Sequence, residues 1–363
     1  MNGSNIQETA KLFFDSNEYY QSLFEDISKA QNEILLESYI FDLDRIGLNL
    51  LYLLEQAKKR GVSVFINIDM IGSWNALTPL KTWANRHKVS LSIYNANIFR
   101  LNKRNHRKLI VIDGHICYLG SLNITEKHLA WRDLGVRTII SHEEYELCKK
   151  HFLKARRGIF YFPWTNPQKI LKRFKKRQKA IADKKQQRFF FNTTLLDRIA
   201  LVRWISRECR KAQHQICLAS PYFLPRSFLL WALVRAARRG VSVTVLIPAQ
   251  SDVWFTQFAI KYYLSRFIKF NISIYEYLPK IWHAKALIID NCLLIGSHNW
   301  NHRSFLHDLE ILYCIQEQRT IQNFHTEWQK DLLVSKPILN GPERFPWWQK
   351  AIGYLIFLFR YWM

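Results

Sequence analysis

Two histidines in this chain each precede a lysine by two positions: His106 with Lys108, and His283 with Lys285. Alternate residues of an extended strand point to the same face, so each imidazole should lie beside an ammonium group. One such pair in a basic stretch is usually ordinary surface. Two copies with matching downstream residues predict two half-sites that meet in one site for a phosphate diester.

The chemistry suited to two His-Lys pairs is phosphoryl transfer through a covalent intermediate. The lysines would neutralise the non-bridging oxygens and stabilise the charge of the transition state. One histidine would attack phosphorus, and the other would protonate the leaving oxygen. The duplication leaves the order of roles open; we take His106 as the nucleophile and His283 as the general acid and base. No carboxylate cluster for Mg²⁺ and no Cys/His metal spacing accompanies the motif, so we predict neither metal nor cofactor.

An aspartate completes each copy of the pattern His-x-Lys-x-x-x-x-Asp, at Asp113 and Asp290. Each aspartate follows its lysine by five residues, which is ~17 Å along an extended strand and of opposite parity. We group both aspartates with the catalytic motif but predict a supporting role for them, at strand ends or at the seam between the halves.

Each motif is followed by Gly-Ser-x-Asn, which ends at Asn123 in the first copy and Asn299 in the second. We predict that these amides donate to phosphoryl oxygens. Acids further along, Asp133 and Glu310, are predicted to accept from imidazole Nδ1, which would fix the tautomer and leave Nε2 free to react. Five other histidines have no such support and receive no role: 115, 128, 298, 302 and 307.

A cluster of cations precedes the first motif, and two interpretations of it stay open: a funnel for an anionic substrate, or a solvated loop. Its members are Arg100, Lys103, Arg104 and Arg107.

The segments that must position these residues are themselves repeated. The run from Ala57 to Val64 recurs from Ala236 to Val243, and both copies predict a helix that ends at glycine, followed by a buried strand. Apolar strands alternate with amphipathic helices, for example strand 34–41, helix 47–60 and strand 62–69. This order predicts an α/β protein built from a duplicated domain.

The charge of the chain is strongly basic, with 53 Lys and Arg against 29 Asp and Glu and a net charge of +24. Such a surface favours anionic partners, either nucleic acid or anionic lipid. From Lys149 to Arg188 there are 15 Lys and Arg and one acid. This segment is either a solvated helix or an arm for lipid headgroups. An aromatic segment at residues 337–363 is interpreted as lying in a membrane interface, with a helix docked on the core as the alternative.

These patterns predict four regions. Residues 1–148 form the first motif-bearing domain, residues 149–190 a basic aromatic linker, residues 191–336 the second motif-bearing domain, and residues 337–363 the interface segment. No stretch has the ~18 uncharged apolar residues of a membrane span, and no signal peptide is expected.

The duplicated motif resembles that of the phospholipase D superfamily, over most of residues 8–335, and within it the bacterial cardiolipin synthases. The run from Gly296 to Glu310 is similar to their second motif, although Asn301 stands where many members have Asp. The resemblance implies two pseudo-symmetric α/β/α domains that pack face to face around one shared active site, and a phosphohistidine intermediate. The absence of N-terminal membrane helices makes the chain similar to the shorter, peripheral type, sometimes called cardiolipin synthase B.

The activity implied by this resemblance is phosphatidyl transfer that makes cardiolipin from phosphatidylglycerol, or from a related phospholipid donor such as phosphatidylethanolamine, at the cytoplasmic face of the membrane. The expected partner is therefore an anionic phospholipid membrane that contains phosphatidylglycerol and cardiolipin, and nucleic acid is disfavoured. Three alternatives stay open: a phospholipase D that transfers to water, a nuclease of the same superfamily, and a non-catalytic lipid-binding scaffold. The sequence makes no prediction of the oligomeric state.

Overall fold

The structure is a computed structural model, and it describes residues 10–95, 103–157, 188–251, 260, 263–339 and 346–358. The first half forms one mixed sheet in the order β1-β7-β6-β5-β2-β3-β4. Its strands are β1 (Ala10–Phe13), β2 (Glu33–Ser38), β3 (Ser63–Asp69), β4 (Ser90–Tyr94), β5 (Leu109–Ile112), β6 (Ile116–Gly120) and β7 (Gly135–Ile139). Its α-helices are α1 (Ser16–Lys29), α2 (Arg45–Lys59), α3 (Leu77–Arg86) and α4 (His142–Arg156).

The second half repeats this arrangement, in the order β15-β11-β10-β9-β12-β13-β14-β8. Its strands are β8 (Phe189–Phe191), β9 (Gln215–Ala219), β10 (Ser242–Pro248), β11 (Ile272–Tyr277), β12 (Ala286–Ile289), β13 (Cys292–Gly296), β14 (Ile311–Ile315) and β15 (Ser335–Pro337). Its α-helices are α5 (Leu195–Lys211), α6 (Ser227–Arg238), α7 (His302–Leu306) and α8 (Gln318–Leu333), and α9 (Trp347–Leu358) follows. Strand β15 is an added edge strand that pairs antiparallel with β11.

The alternation of side chains along each strand divides the interior into three layers of core. On β2, Ile34 and Leu36 pack in a cluster with α1, α2 and α3, whereas Leu35 faces the opposite way. The cluster around Leu35 joins apolar residues of both sheets to α4 and α8. A third cluster lies between the second sheet and helices α5 and α6. The two α/β/α halves therefore face each other, and the predicted fold class is confirmed.

Glycines end the two equivalent helices at the places where the repeat predicted them. Gly61 after α2 and Gly240 after α6 have φ angles of 92° and 91°, in the left-handed region that favours glycine. Each is followed by a parallel strand, β3 or β10, which pairs with β2 or β9. The predicted helix-glycine-strand unit is thus present twice.

Helix α8 joins the halves through polar contacts as well as through the shared core. The hydroxyl of Thr320 donates to the carbonyl of Ala10 at 3.1 Å. The guanidinium of Arg132, in the first half, lies 2.9 Å from Asp331 and 3.0 Å from Glu327 on α8. These contacts fix the second half relative to the loop that carries Asp133.

Three predicted domain boundaries fall inside regular elements and are corrected here. Residue 148 lies within α4, residue 190 lies within β8, and residue 336 lies within β15. The charge of Lys149 and its neighbours suggested a linker, but Phe152 and Ala155 are buried, which keeps this stretch in the helix. Strand β8 belongs to the second half because it pairs with β14.

Two predicted membrane-contacting segments are described in part. Most of the basic linker, residues 158–187, lies outside the described residues, and so do residues 340–345 and 359–363 of the C-terminal segment. Residues 347–358 of that segment form α9, on which Trp347, Trp348, Tyr354 and Leu355 are exposed. Its contact with a membrane stays a prediction. Among the described residues, no helix has both the length and the apolar character needed to cross a bilayer.

Candidate active site

Each His-x-Lys segment leads into a central strand, at the edge where the parallel strands end. His106 precedes β5, which runs antiparallel to β2, and His283 precedes β12, which runs antiparallel to β9. The two lead-in segments are tied to opposite halves of the chain. The amide of His106 donates to the carbonyl of Leu309 at 3.0 Å, and the amide of His283 donates to that of Arg132 at 2.9 Å.

The imidazoles are held by carboxylates in a crossed pattern. Nδ1 of His106 lies 3.2 Å from Glu310 Oε2 and 3.1 Å from the carbonyl oxygen of Ser297, both in the second half. Nδ1 of His283 lies 2.9 Å from Asp133 Oδ1, in the first half. Because these partners accept hydrogen bonds, each Nδ1 carries the proton and each Nε2 holds the lone pair. The sequence indicated these two acids, but not that each would serve the histidine of the other half.

Serines of the Gly-Ser-x-Asn segments fix the two carboxylates. The hydroxyl of Ser121 donates to Asp133 Oδ1 at 2.6 Å, and that of Ser297 donates to Glu310 Oε2. The glycine before each serine is required sterically, since a Cβ at Gly120 would lie 2.4 Å from the carbonyl oxygen of Leu134. The sequence showed both serines but gave them no role.

The lysines lie against their own histidines, as the spacing predicted. Lys285 Nζ is 2.9 Å from Nε2 of His283 and 2.7 Å from its carbonyl oxygen. Lys108 Nζ donates to the carbonyl of His106 at 2.8 Å and lies over the ring of Tyr39. The first histidine therefore differs from the second, because its Nε2 accepts no hydrogen bond from the part of the chain that the structure describes.

Burial and the paired lysines set the charges of the site. Burial, and then the charges of Lys108 and Lys285, hold the pKa of His106 well below its ordinary value. Burial and Lys285 lower the pKa of His283 to about 3. Burial and Lys285 also lower the pKa of Lys108 well below its usual range. Both imidazoles are thus neutral at physiological pH in the free site.

Asp133 has a second imidazole partner, His128, to which the sequence assigned no role. Nδ1 of His128 lies 2.5 Å from Asp133 Oδ2. Burial alone would raise the pKa of Asp133, but the charges and hydrogen bonds of His128 and His283 together hold it well below its ordinary value. These three residues are of types that bind metals and their donor atoms lie close together. Asp133 forms a hydrogen bond with each of the two histidines, and these bonds account for the closeness of the three side chains.

Asn123 is turned away from the predicted role of phosphate contact. Its amide nitrogen lies 3.1 Å from Nε2 of His128, and its oxygen accepts from the amide of Ile40. Both polar ends of the side chain are therefore engaged within the protein, and the prediction for Asn123 is corrected. In the second half, the backbone N–H of Asn299 donates to Ser304 Oγ at 3.3 Å. The oxygen Oδ1 of Asn299 is buried with no hydrogen-bond partner among the described residues, so its predicted role stays a prediction.

Ser304 takes the place in the second half that His128 takes in the first. Its hydroxyl donates to Glu310 Oε1 at 2.7 Å. One acid is thus held by two hydroxyls and the other by a hydroxyl and an imidazole. Only the spacing could have signalled this, since His128 and Ser304 each follow the motif asparagine by five residues.

The two motif aspartates follow β5 and β12, the strands that begin directly after the lysines. The carboxylate of Asp113 accepts from the amides of residues 31, 32 and 33 at 2.7–3.0 Å. That of Asp290 accepts from the amides of residues 213, 214 and 215, each at 2.9 Å. Both are therefore structural residues that join the β5-β6 or β12-β13 turn to the start of β2 or β9. The supporting role at strand ends fits this placement, whereas a place beside the phosphate or at the seam does not.

The cation cluster before the first motif is, as a whole, neither a funnel for an anionic substrate nor a solvated loop. Arg107 is fully buried and donates to Glu310 O at 3.4 Å, His151 O at 3.2 Å and Thr193 Oγ1 at 2.5 Å. It therefore braces the acid that holds His106. Arg104 donates to the hydroxyl of Tyr39 at 2.9 Å. Arg100 lies outside the described residues.

Comparison with known proteins identifies relatives over most of the chain. The family described as "Cardiolipin synthase, PLD-like domain" matches residues 23–155 and 205–332. Cardiolipin synthase 1 of Staphylococcus epidermidis is 30% identical over 343 residues, which cover 90% of this chain and 68% of that protein. The cardiolipin synthase of Listeria welshimeri is 29% identical over 344 residues, covering 90% of this chain and 69% of that protein.

Solved structures share the fold at low sequence identity. The phosphatidylserine synthase of Haemophilus influenzae superposes with a TM-score of 0.71 at 14% identity, over 97% of this chain and 92% of that one. A polyphosphate kinase from Porphyromonas gingivalis gives a TM-score of 0.60 at 14% identity, over 98% of this chain and 56% of that one. The two-sheet architecture is thus common to proteins whose names indicate different reactions.

Proposed function

This chain belongs to the family of cardiolipin synthases with a phospholipase D-like domain, and we propose that it joins two phosphatidylglycerol molecules into cardiolipin with release of glycerol. It is an enzyme, a phosphatidyltransferase of the phospholipase D superfamily. The observation that supports its site is that each histidine is held by a carboxylate of the opposite half, with the two His-Lys pairs close enough for the charge of Lys285 to act on His106.

The free site is prepared for an anion. The charges of Lys108 and Lys285 both lower the pKa of His106, and the charge of Lys285 also lowers the pKa values of Lys108 and His283. A phosphodiester placed between the lysines would offset their charge, and the pKa of His283 would rise. His283 would then take up a proton when the lipid binds, which is the protonation state that a general acid needs.

In the first half-reaction, Nε2 of His106 attacks the phosphorus of phosphatidylglycerol. The bond from phosphorus to the glycerol oxygen breaks, and His283 gives its Nε2 proton to that oxygen. Glycerol leaves, and the phosphatidyl group is bonded to His106. This order of roles is supported by a difference between the two imidazoles: Nε2 of His283 is in contact with Lys285, whereas Nε2 of His106 accepts no hydrogen bond from the described residues.

In the second half-reaction, the free hydroxyl of another phosphatidylglycerol attacks the phosphohistidine. Neutral His283 accepts the hydroxyl proton, the phosphorus–nitrogen bond breaks, and cardiolipin is released. An aromatic ring lies against each imidazole: Tyr39 is 4.8 Å from His106 and Trp131 is 5.1 Å from His283, between ring centroids. We propose that these rings limit the access of water and so favour a lipid alcohol as the acceptor.

Membrane phospholipid is the partner that this chemistry requires. We propose a peripheral enzyme on the cytoplasmic face, which binds an anionic surface through its excess of basic residues. Strong dependence of vesicle binding on salt would support this location.

The test is incubation of the full-length protein with labelled phosphatidylglycerol vesicles, with products separated by chromatography. We expect cardiolipin and glycerol from the wild type, and from a His115→Ala control, whose histidine is exposed in the β5-β6 turn. His106→Ala should form neither product.

The other outcomes separate the alternatives. Phosphatidic acid in place of cardiolipin would show that water is the acceptor and that the enzyme is a phospholipase. Cleavage of single-stranded DNA or RNA without lipid turnover, abolished in His106→Ala, would replace the proposal by a nuclease. Wild-type rates in His106→Ala or His283→Ala would rule out the two-histidine site.

A further inference from the structure

Both His-x-Lys segments lie at one edge of the molecule, which is defined by strand direction. Strands β2, β3 and β4 are parallel to one another, and so are β9, β10 and β11. The His-x-Lys segments lead into strands antiparallel to β2 and β9, so both lie at the carboxyl ends of the parallel strands. We call this the site edge, and the N-terminal ends of the parallel strands the opposite edge.

Large apolar side chains are exposed on the first-half portion of the site edge. Trp74, in the turn after β3, is 66% exposed, and Leu48, in the first turn of α2, is also exposed. The turn that carries Trp74 is joined to the catalytic centre. Ser73 Oγ donates to the carbonyl of Tyr39 at 3.1 Å, and the ring of Tyr39 lies 4.8 Å from that of His106.

The second half exposes apolar side chains at the same edge. Leu278 follows the end of β11 and is 50% exposed. Leu333 and Val334 end α8 and are exposed as well. They lie beside Leu278 because β15, which follows them, pairs with β11 so that Ser335 faces Tyr277.

Exposed cations lie close to both apolar groups. Arg45 is in the same helical turn as Leu48, and Lys127, which lies 3.5 Å from Asp42, follows β6, which also ends at the site edge. In the second half, Lys330 precedes Leu333 by one turn and lies 2.7 Å from Glu327, and Lys336 follows Val334 by two residues. Exposed aromatic and aliphatic side chains next to Lys and Arg are typical of surfaces that lie in the headgroup region of anionic bilayers.

Access to the site argues for the same orientation. His106 lies at the site edge and its side chain is only 12% exposed, so we infer that a lipid phosphodiester reaches Nε2 from this edge. A phosphatidyl group whose acyl chains stay in the bilayer can enter only if that edge faces the membrane.

We propose that the site edge is the membrane-docking face, with Trp74 and Leu48 on one side of the active site and Leu278, Leu333 and Val334 on the other, inserted among anionic phospholipid headgroups. This inference rests on the proposed function for the identity of the substrate. It assigns docking to residues within the catalytic halves, in addition to the C-terminal helix and the basic linker that the sequence indicated.

The opposite edge supplies a matched control. Ile139 ends β7, which runs antiparallel to β6 and therefore ends at the opposite edge, and it is 42% exposed. Leu278→Ala and Ile139→Ala thus remove aliphatic side chains of equal size and similar exposure from the two edges. Trp74→Ala tests the first half of the proposed face.

The experiment is co-sedimentation of the full-length protein with vesicles of equal parts phosphatidylglycerol and phosphatidylcholine, at physiological salt. We expect vesicle affinity to fall about tenfold in Trp74→Ala, and severalfold in Leu278→Ala, since each loses a side chain that would be buried in the interface. Ile139→Ala should bind like the wild type. Turnover of short-chain phosphatidylglycerol in detergent micelles should be unchanged in all three variants, since none removes a catalytic group.

The results for docking and for function are separable. Wild-type vesicle binding by both Trp74→Ala and Leu278→Ala would overturn the docking face and leave binding to the C-terminal helix or the linker. An equal loss in Ile139→Ala would overturn it too, because the effect would not depend on the edge. Absence of lipid turnover by the wild type in vesicles and in micelles would instead refute the proposed function, whatever the binding data.

Discussion

The assignment of roles to the two histidines can be tested by changing the leaving group. Nε2 of His283 contacts Lys285 at 2.9 Å, whereas Nε2 of His106 accepts no hydrogen bond from the described residues. If His106 is the nucleophile, His283→Ala should slow the formation of the phosphohistidine only when the leaving oxygen needs a proton. A phosphatidyl ester of glycerol needs one, and an ester of an acidic nitrophenol does not.

The expected magnitudes follow from what each variant removes. General acid catalysis contributes about 10²–10⁴-fold, which is roughly 3–5 kcal/mol of the barrier. In His283→Ala, Lys285 keeps its hydrogen bond to the backbone carbonyl of residue 283, so its charge stays in place for the transition state. We therefore expect His283→Ala to lower the rate by ~10⁴-fold with glycerol as leaving group. The rate of the first turnover of the nitrophenyl ester should fall at most about tenfold.

The assay is rapid mixing of enzyme with the nitrophenyl ester, with phenol release followed by absorbance. In His283→Ala we expect a burst equal to the enzyme concentration and then slow turnover, because the phosphohistidine forms without an acid but lacks a base for its release. Mass spectrometry should find the phosphatidyl group on the peptide that contains His106. His106→Ala should show no burst with either substrate.

Two results would refute this reasoning. A burst in His106→Ala that is lost in His283→Ala would reverse the two roles. Equal losses in His283→Ala with both leaving groups would mean that this residue does more than transfer a proton.

Further predictions concern the residues that support the imidazoles. Asp133→Asn places an amide against two imidazole N–H groups and should lower kcat by ~10³–10⁴-fold, measured as cardiolipin formation; less than tenfold would contradict tautomer control. His128→Ala leaves one carboxylate oxygen without its donor and should lower kcat by about tenfold, with an altered pH–rate profile that a packing defect alone would not give. Asp290→Ala removes an acceptor for three backbone amides and should cost about 2 kcal/mol of unfolding free energy in urea, with little change in kcat; lost activity in folded protein would contradict a structural role. His283 has a pKa of about 3 when folded and about 6.5 unfolded, so unfolding takes up a proton between these values and stability falls as pH falls. The unfolding free energy of the wild type should decrease by up to about 1.4 kcal/mol per pH unit more than that of His283→Asn across that window.

The repeat and the hydrophobic pattern predicted the fold because both are local signals. Glycine and the spacing of apolar residues predicted the helix that ends at Gly61 and the strand after it. The same signals predicted the second copy at Gly240. The boundary at residue 148 was wrong because the lysines there suggested solvent, while the buried Phe152 continues the helix. Charge describes only the exposed face of a helix, so it marks domain ends poorly.

Within the site, the odd or even spacing of residues along the strand predicted which side chains share a face and which do not. The two-residue spacing of His106 and Lys108 placed them side by side, and the five-residue spacing removed Asp113 from the same space. Asn123 followed no such rule, because it lies after the strand in a loop. The orientation of the Asn123 side chain is set by its contact with His128, a residue that only its spacing from Asn123 could have indicated.

The sequence by itself determined the identity of the chemical groups and the fact that there are two half-sites, because a duplicated motif records both. The tertiary structure decided which groups touch. Glu310 reaches His106 across 204 residues and Asp133 reaches His283 across 150, and the buried Arg107 braces Glu310 from the other half. Contacts of this kind depend on how two sheets pack, and packing energy is spread over the shared core of both halves, so no local stretch of sequence can specify it.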